Sequence, residues 1–100
     1  MKEANLQKAV LDYLTLKKFV VVKFNNVGVW NKKTNRYIPP RQKGISDILA
    51  CNPEGKFIAL EIKNKNQQPS KYQIEFLERV RKNNGIGMVV YSMDEVMKIL

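Results

Sequence analysis

Histidine is absent from this 100-residue chain, and cysteine occurs once, at Cys51. Those gaps exclude Cys/His zinc sites, imidazole general bases, cysteine–histidine nucleophile pairs and an internal disulfide. Acidic residues are scarce, 9 against 18 Lys plus Arg, giving a net charge of +9. No apolar run approaches the roughly 20 residues that a membrane helix needs, and Met1-Lys2-Glu3-Ala4-Asn5 has no apolar leader character. The expectation is a soluble, cytoplasmic protein with no membrane partner. Repeats, low-complexity tracts and linkers are also missing. What is present, 44% apolar and 27% charged residues, is the composition of a folded chain, and 100 residues make one domain, 1–100. Any chemistry must come from carboxylates, lysines, hydroxyls or a hard metal.

The positive charge is clustered. From Tyr13 to Ser46 there is no acidic residue, while Lys17, Lys18, Lys23, Lys32, Lys33, Arg36, Arg41 and Lys43 all fall in that stretch. A basic surface attracts polyanions by releasing their counterions, so nucleic acid is the leading partner. A merely soluble basic protein is the plainer alternative.

Leu6, Val10, Tyr13 and Leu14 recur at helical spacing and predict a helix from about Glu3 to Lys17. Glu3 begins its apolar stripe, where an acid favours the helix dipole. Phe19 to Phe24 is β-branched and aromatic and reads as a strand, broken by Asn25-Asn26-Val27-Gly28. Val29-Trp30 and Tyr37-Ile38 flank a loop that carries Lys32, Lys33 and Arg36, hairpin-like or irregular, closed by Pro39-Pro40. Ile45–Cys51 and Lys56–Lys63 form an antiparallel hairpin across Asn52-Pro53-Glu54-Gly55. Ser70-x-x-Gln73 is a capping-box start for a helix bearing Tyr72, Phe76, Leu77 and Val80, stopped by Asn84-Gly85. Ile86 to Tyr91 is a buried strand, and Ser92 opens a terminal helix. The order α-β-β-β-α-β-α describes an α/β domain.

Alternation in the Lys56–Lys63 strand puts Ile58, Leu60 and Ile62 on one face, with Phe57, Ala59, Glu61 and Lys63 on the other. With the turn centred between Pro53 and Glu54, Asp47 lies opposite roughly residue 60, within one place of Glu61. Two carboxylates and a lysine therefore converge. Cutting a phosphodiester requires a neutralised phosphate, a nucleophile made from water and a stabilised leaving oxyanion. Magnesium held by Asp47, Glu61 and the main-chain carbonyl of Ile62 would contribute to all three, with Lys63 beside the attacking water. The plainer reading of Glu61-x-Lys63 is a salt bridge on a solvated strand. The apolar runs around both acids count against it, since buried acids are costly unless paired or metal-bound.

Gly44-Ile45-Ser46-Asp47 followed by Glu61-Ile62-Lys63 resembles the PD-(D/E)xK nuclease signature, and the element order resembles that superfamily's restriction-endonuclease-like core, a mixed central sheet flanked by helices. With Ser70-x-x-Gln73, Gly85 and Val89-Val90-Tyr91-Ser92, nearly the whole chain is similar to the VRR-NUC family, in particular its small stand-alone members from phages and bacteria. The resemblance implies a Mg²⁺- or Mn²⁺-dependent DNA endonuclease acting in a bacterial or phage-infected cell. It makes Asp47 and Glu61 metal ligands and Lys63 the catalytic lysine. It also turns Glu3 into an active-site acid and metal ligand, and sets Gln73 at the border of the site, a role compatible with capping. Ser46 stands where the family usually has proline, a structural position. The resemblance further implies a homodimer with two sites, in some members acting on branched DNA such as four-way junctions.

Beyond the acids, Lys32, Lys33, Arg36, Arg41, Lys43, Lys65 and Lys71 are candidate nucleic-acid contacts, the last two equally readable as solvated lysines. Trp30 and Tyr37 either stack on bases or pack their hairpin or an interface. Met88, Met93 and Met97 read as core or interface filler, and Cys51 as an inert small apolar residue. The competing function is a non-catalytic basic nucleic-acid-binding module in which the acids are structural.

Overall fold

Why the central strand is buried on both sides follows from what covers it. In the computed structural model, which describes residues 2–24, 28–39 and 43–100, β5 (Phe57–Ile62) runs between β4 (Ile48–Cys51) and β6 (Ile86–Val90). The sheet order is β1-β4-β5-β6, with β1 (Val20–Lys23) at one edge. β4 pairs antiparallel with β1 and β5, whereas β6 runs parallel to β5. A parallel pair needs a crossover, and α2 (Lys71–Lys82) supplies it.

α1 (Glu3–Leu16) places Leu6, Val10 and Leu14 at four-residue intervals against Ile48, Ala50, Ile58, Leu60, Ile62 and Val90, and α3 (Met93–Ile99) adds Val96 to the same layer. On the opposite face Leu77 and Val80 of α2 pack over Ala59. The alternation read from the β5 sequence is therefore real, but both of its faces are core. α2 and α3 begin with full capping boxes, Ser70 with Gln73 and Ser92 with Glu95. Met88 and Met93 pack against the core, while Met97 stays exposed. Cys51 is half-buried. None of the described helices is long and apolar enough to cross a membrane.

Two features depart from the sequence reading. The excursion between β1 and β4 contains a separate two-stranded hairpin, β2 (Val29–Asn31) with β3 (Arg36–Ile38), so the order is α-β-β-β-β-β-α-β-α. Its turn is stabilised by the Asn31 side-chain oxygen, which accepts from the N–H groups of Lys33 and Thr34. The β4–β5 register is also displaced by one residue. Ile48 faces Leu60 because the loop is the three residues Pro53, Glu54 and Gly55, with Gly55 at φ +86 and Asn52 Oδ1 accepting from Glu54 N and Lys56 N. Continuing that register by one place sets Asp47 opposite Glu61.

Candidate active site

The register brings Asp47 and Glu61 together at the end of β4 and β5, on the α2 side of the sheet. Asp47 accepts the backbone N–H of Ile62 through Oδ2 at 2.9 Å, which ties the residue before β4 to the far end of β5. Glu61 is 1% exposed. Its Oε1 accepts from Gln73 Nε2 at 2.6 Å, and its Oε2 is buried with no hydrogen-bond partner among the described residues. A buried carboxylate oxygen without a donor is costly, and sites that tolerate it usually serve a ligand or a metal.

Gln73 reaches Glu61 because of the helix cap. Its Oε1 accepts from Ser70 N at 2.7 Å and its backbone N–H donates to Ser70 Oγ at 3.2 Å. With the amide oxygen engaged at the cap, the NH₂ end is directed to Glu61. One side chain thus performs both functions that the sequence allowed it.

Burial, then the neighbouring Asp47 carboxylate, raises the Glu61 pKa from 4.5 to about 7, against the opposing charge of Lys63. Lys63 follows β5, is half-buried, and anchors its backbone by donating N–H to Val90 O at 3.0 Å. Among the described residues its ammonium forms no ion pair with either acid.

The raised pKa has a sign that can be measured in metal-free protein. Below pH 4.5 Glu61 is protonated in both folded and unfolded chains. Between 4.5 and about 7 the unfolded chain has lost the proton while the fold still holds it, so stability falls as pH rises through that window. Above pH 7 the full loss applies, on the order of 3 kcal/mol at 1.4 kcal/mol per pKa unit. Urea midpoints measured in EDTA across this range should decline for wild type more steeply than for Glu61→Gln. Parallel profiles would mean that the carboxyl is not held neutral by the fold.

The remaining sequence candidates distribute as follows. Glu3 opens α1, which packs on the opposite face of β5. Among the described residues no three acidic, histidine or cysteine side chains cluster closely enough to hold a metal, so Glu3 does not join Asp47 and Glu61. It does lie at the same end of the sheet, because its neighbour Lys2 shares a groove with Asn64–Gln67, the loop after Lys63. Lys32, Lys33 and Arg36 are exposed on the β2–β3 hairpin, and Lys65 and Lys71 are exposed near the site. Trp30 and Tyr37 are cross-strand partners on that hairpin, both more than half exposed, with Tyr37 accepting from Gly28 N through its hydroxyl. Arg41, Pro40 and the Asn25–Val27 break lie outside the described residues.

Two residues matter more than their sequence suggested. Gly44 has φ +79, and a Cβ there would overlap the Tyr72 carbonyl and stand 2.7 Å from Gln73 N. It allows the Asp47 loop to press against the first turn of α2, where Gln73 sits. Tyr72, assigned by periodicity to the apolar side of α2, is 48% exposed, with the Lys43 ammonium 4.9 Å from its ring centroid. Neither property has a sequence signal, because positive φ and the side of a helix left uncovered are both set by packing.

A family model for the VRR-NUC domain matches residues 1–94. A solved structure described as a VRR_NUC domain aligns with a TM-score of 0.70 and 26% identity, over 97% of this chain and 91% of that one. No curated protein matches the chain.

Proposed function

The chain belongs to the VRR-NUC domain family, a nuclease-like family, and from that premise we propose that it is a divalent-metal-dependent DNA endonuclease built as a single domain. The observation that carries the reading is the buried Glu61 oxygen without a partner among the described residues, set beside the Asp47 carboxylate. Two neighbouring acids, with one Glu61 oxygen lacking a donor among the described residues, are a poor salt-bridge remnant and a good cradle for a hard cation.

The donor set fits Mg²⁺ or Mn²⁺, with Asp47, Glu61 and the Ile62 carbonyl as the proposed protein ligands. Such an ion lowers the pKa of bound water and neutralises phosphate charge. The chain's own residues do the rest. Ile62 N–H holds the Asp47 carboxylate, and Gln73 fixes the Glu61 rotamer. Lys63, in no ion pair with either acid among the described residues, is the proposed catalytic lysine. As an ammonium it orients the attacking water and offsets phosphate charge. Glu3, at the same end of the sheet, is proposed as an outer acid acting through water, not as a direct ligand. Lys32, Lys33, Arg36, Arg41, Lys43, Lys65 and Lys71 are the proposed phosphate contacts, drawing on the surplus of positive charge.

Labelled four-way junction, flap, duplex and single-stranded DNA, each incubated with Mg²⁺, Mn²⁺ or EDTA, test the assignment. Products are expected with metal and none with EDTA, and the preferred DNA identifies the substrate, which we propose to be branched. Binding that persists in EDTA with no cleavage under any metal would instead establish the non-catalytic binding module. We further propose a homodimer, since one site nicks one strand and paired incisions need a second copy. Light scattering should then give twice the 11.6 kDa chain mass, and a single-chain mass with and without DNA would refute the dimer.

A further inference from the structure

Resting on the nuclease reading above, we propose that Tyr72 and Lys43 form a stacking platform for an unpaired DNA base at the rim of the active site. Tyr72 immediately precedes Gln73, the residue that touches Glu61, so the ring is mounted on the same helical turn as the site. Its backbone carbonyl is the surface on which Gly44 rests, which fixes that turn against the loop leading to Asp47. The ring is 48% exposed, and among the described residues its hydroxyl has no hydrogen-bond partner; a tyrosine needed only for packing would be covered.

Lys43 completes the arrangement. Its ammonium stands 4.9 Å from the ring centroid, close enough for cation–π attraction, and belongs to an exposed residue. An aromatic face for a base together with a cation for the adjoining phosphate is the combination by which proteins hold single-stranded nucleic acid. A base inside a duplex has no free face to offer, so the platform selects DNA whose strand is unpaired or splayed beside the cut. Trp30 and Tyr37 are also exposed, but neither carries a cation over its ring among the described residues, and the Tyr37 hydroxyl is already engaged by Gly28 N–H.

The test is a titration of flap DNA carrying the fluorescent base 2-aminopurine in its unpaired stretch, performed in EDTA so that stacking is read without scission. Wild type should quench the unpaired base. Tyr72→Leu, which keeps apolar bulk without a π-face, should abolish the quench and weaken flap binding about tenfold. Tyr72→Phe should bind like wild type, showing that the ring and not the hydroxyl is required. Lys43→Met should lower the salt slope of binding by about one. The platform is overturned if Tyr72→Leu quenches like wild type, or if the quench is lost in Trp30→Leu instead. Wild type that quenches in EDTA yet cuts no DNA with Mg²⁺ or Mn²⁺ supports the platform and removes the nuclease reading. Wild type that cuts while Tyr72→Leu still quenches removes the platform alone.

Discussion

Under the proposed function, alanine at Asp47 or at Lys63 should lower metal-dependent strand cleavage by roughly 10³-fold, the scale of losing a group that stabilises developing charge in a catalytic centre. Neither substitution should unfold the protein. Asp47→Ala strands the Ile62 N–H that it accepts, but it also removes the like charge that raises the Glu61 pKa, so the two changes in stability oppose each other. Lys63 keeps its backbone bond to Val90 whatever its side chain. Cleavage rates on the preferred DNA, with circular dichroism to verify the fold, provide the measurement. If Lys63→Ala cuts within tenfold of wild type, the lysine is a bystander to the chemistry.

The largest effect on stability is expected at Gly44. Alanine there must adopt φ +79, which costs about 1–2 kcal/mol in an L-residue, and its methyl must also displace the Tyr72 carbonyl. The sum is about 3 kcal/mol, at the upper end of ordinary single substitutions. Gly55 is the matched control: its φ is +86, but a Cβ there meets nothing within 4 Å. Gly55→Ala should show the backbone cost alone. The gap between the two urea midpoints reads the close approach of the Asp47 loop to α2, and equal midpoints would refute it. Folded Gly44→Ala should also cleave poorly, because the displaced turn carries Gln73 and with it the Glu61 rotamer.

The neighbouring placement of Asp47 and Glu61 and the capped glutamine could be read from the sequence because local rules govern each of them. Alternation placed Glu61 and Lys63 on one face, turn chemistry paired the strand with Asp47, and a capping box located Gln73. The register was one residue out because a three-residue loop ending in a left-handed glycine cannot be distinguished by composition from a two-residue turn. Glu3 owes its active-site assignment to the family resemblance, which no local rule could check. Helical spacing says which side of α1 is apolar, but not which face of the sheet that side will cover. Tyr72 fails for a related reason: it lies on the apolar arc of α2, yet the sheet beneath the first turn is occupied by the site and leaves the ring in solvent.

The central position of β5 also determines how the molecule breathes. With a hydrogen-bonded strand on each side and a helical layer over each face, its amides from Ile58 to Leu60 are expected to exchange with solvent only when the whole domain opens, whereas β1, paired with β4 alone, is expected to fray locally. Glu61 directly follows that doubly paired segment and is still paired with Val89 of β6. The carboxylate is thereby mounted at the end of the most protected strand, which under the proposed function would give a deformable DNA strand a fixed point to be positioned against.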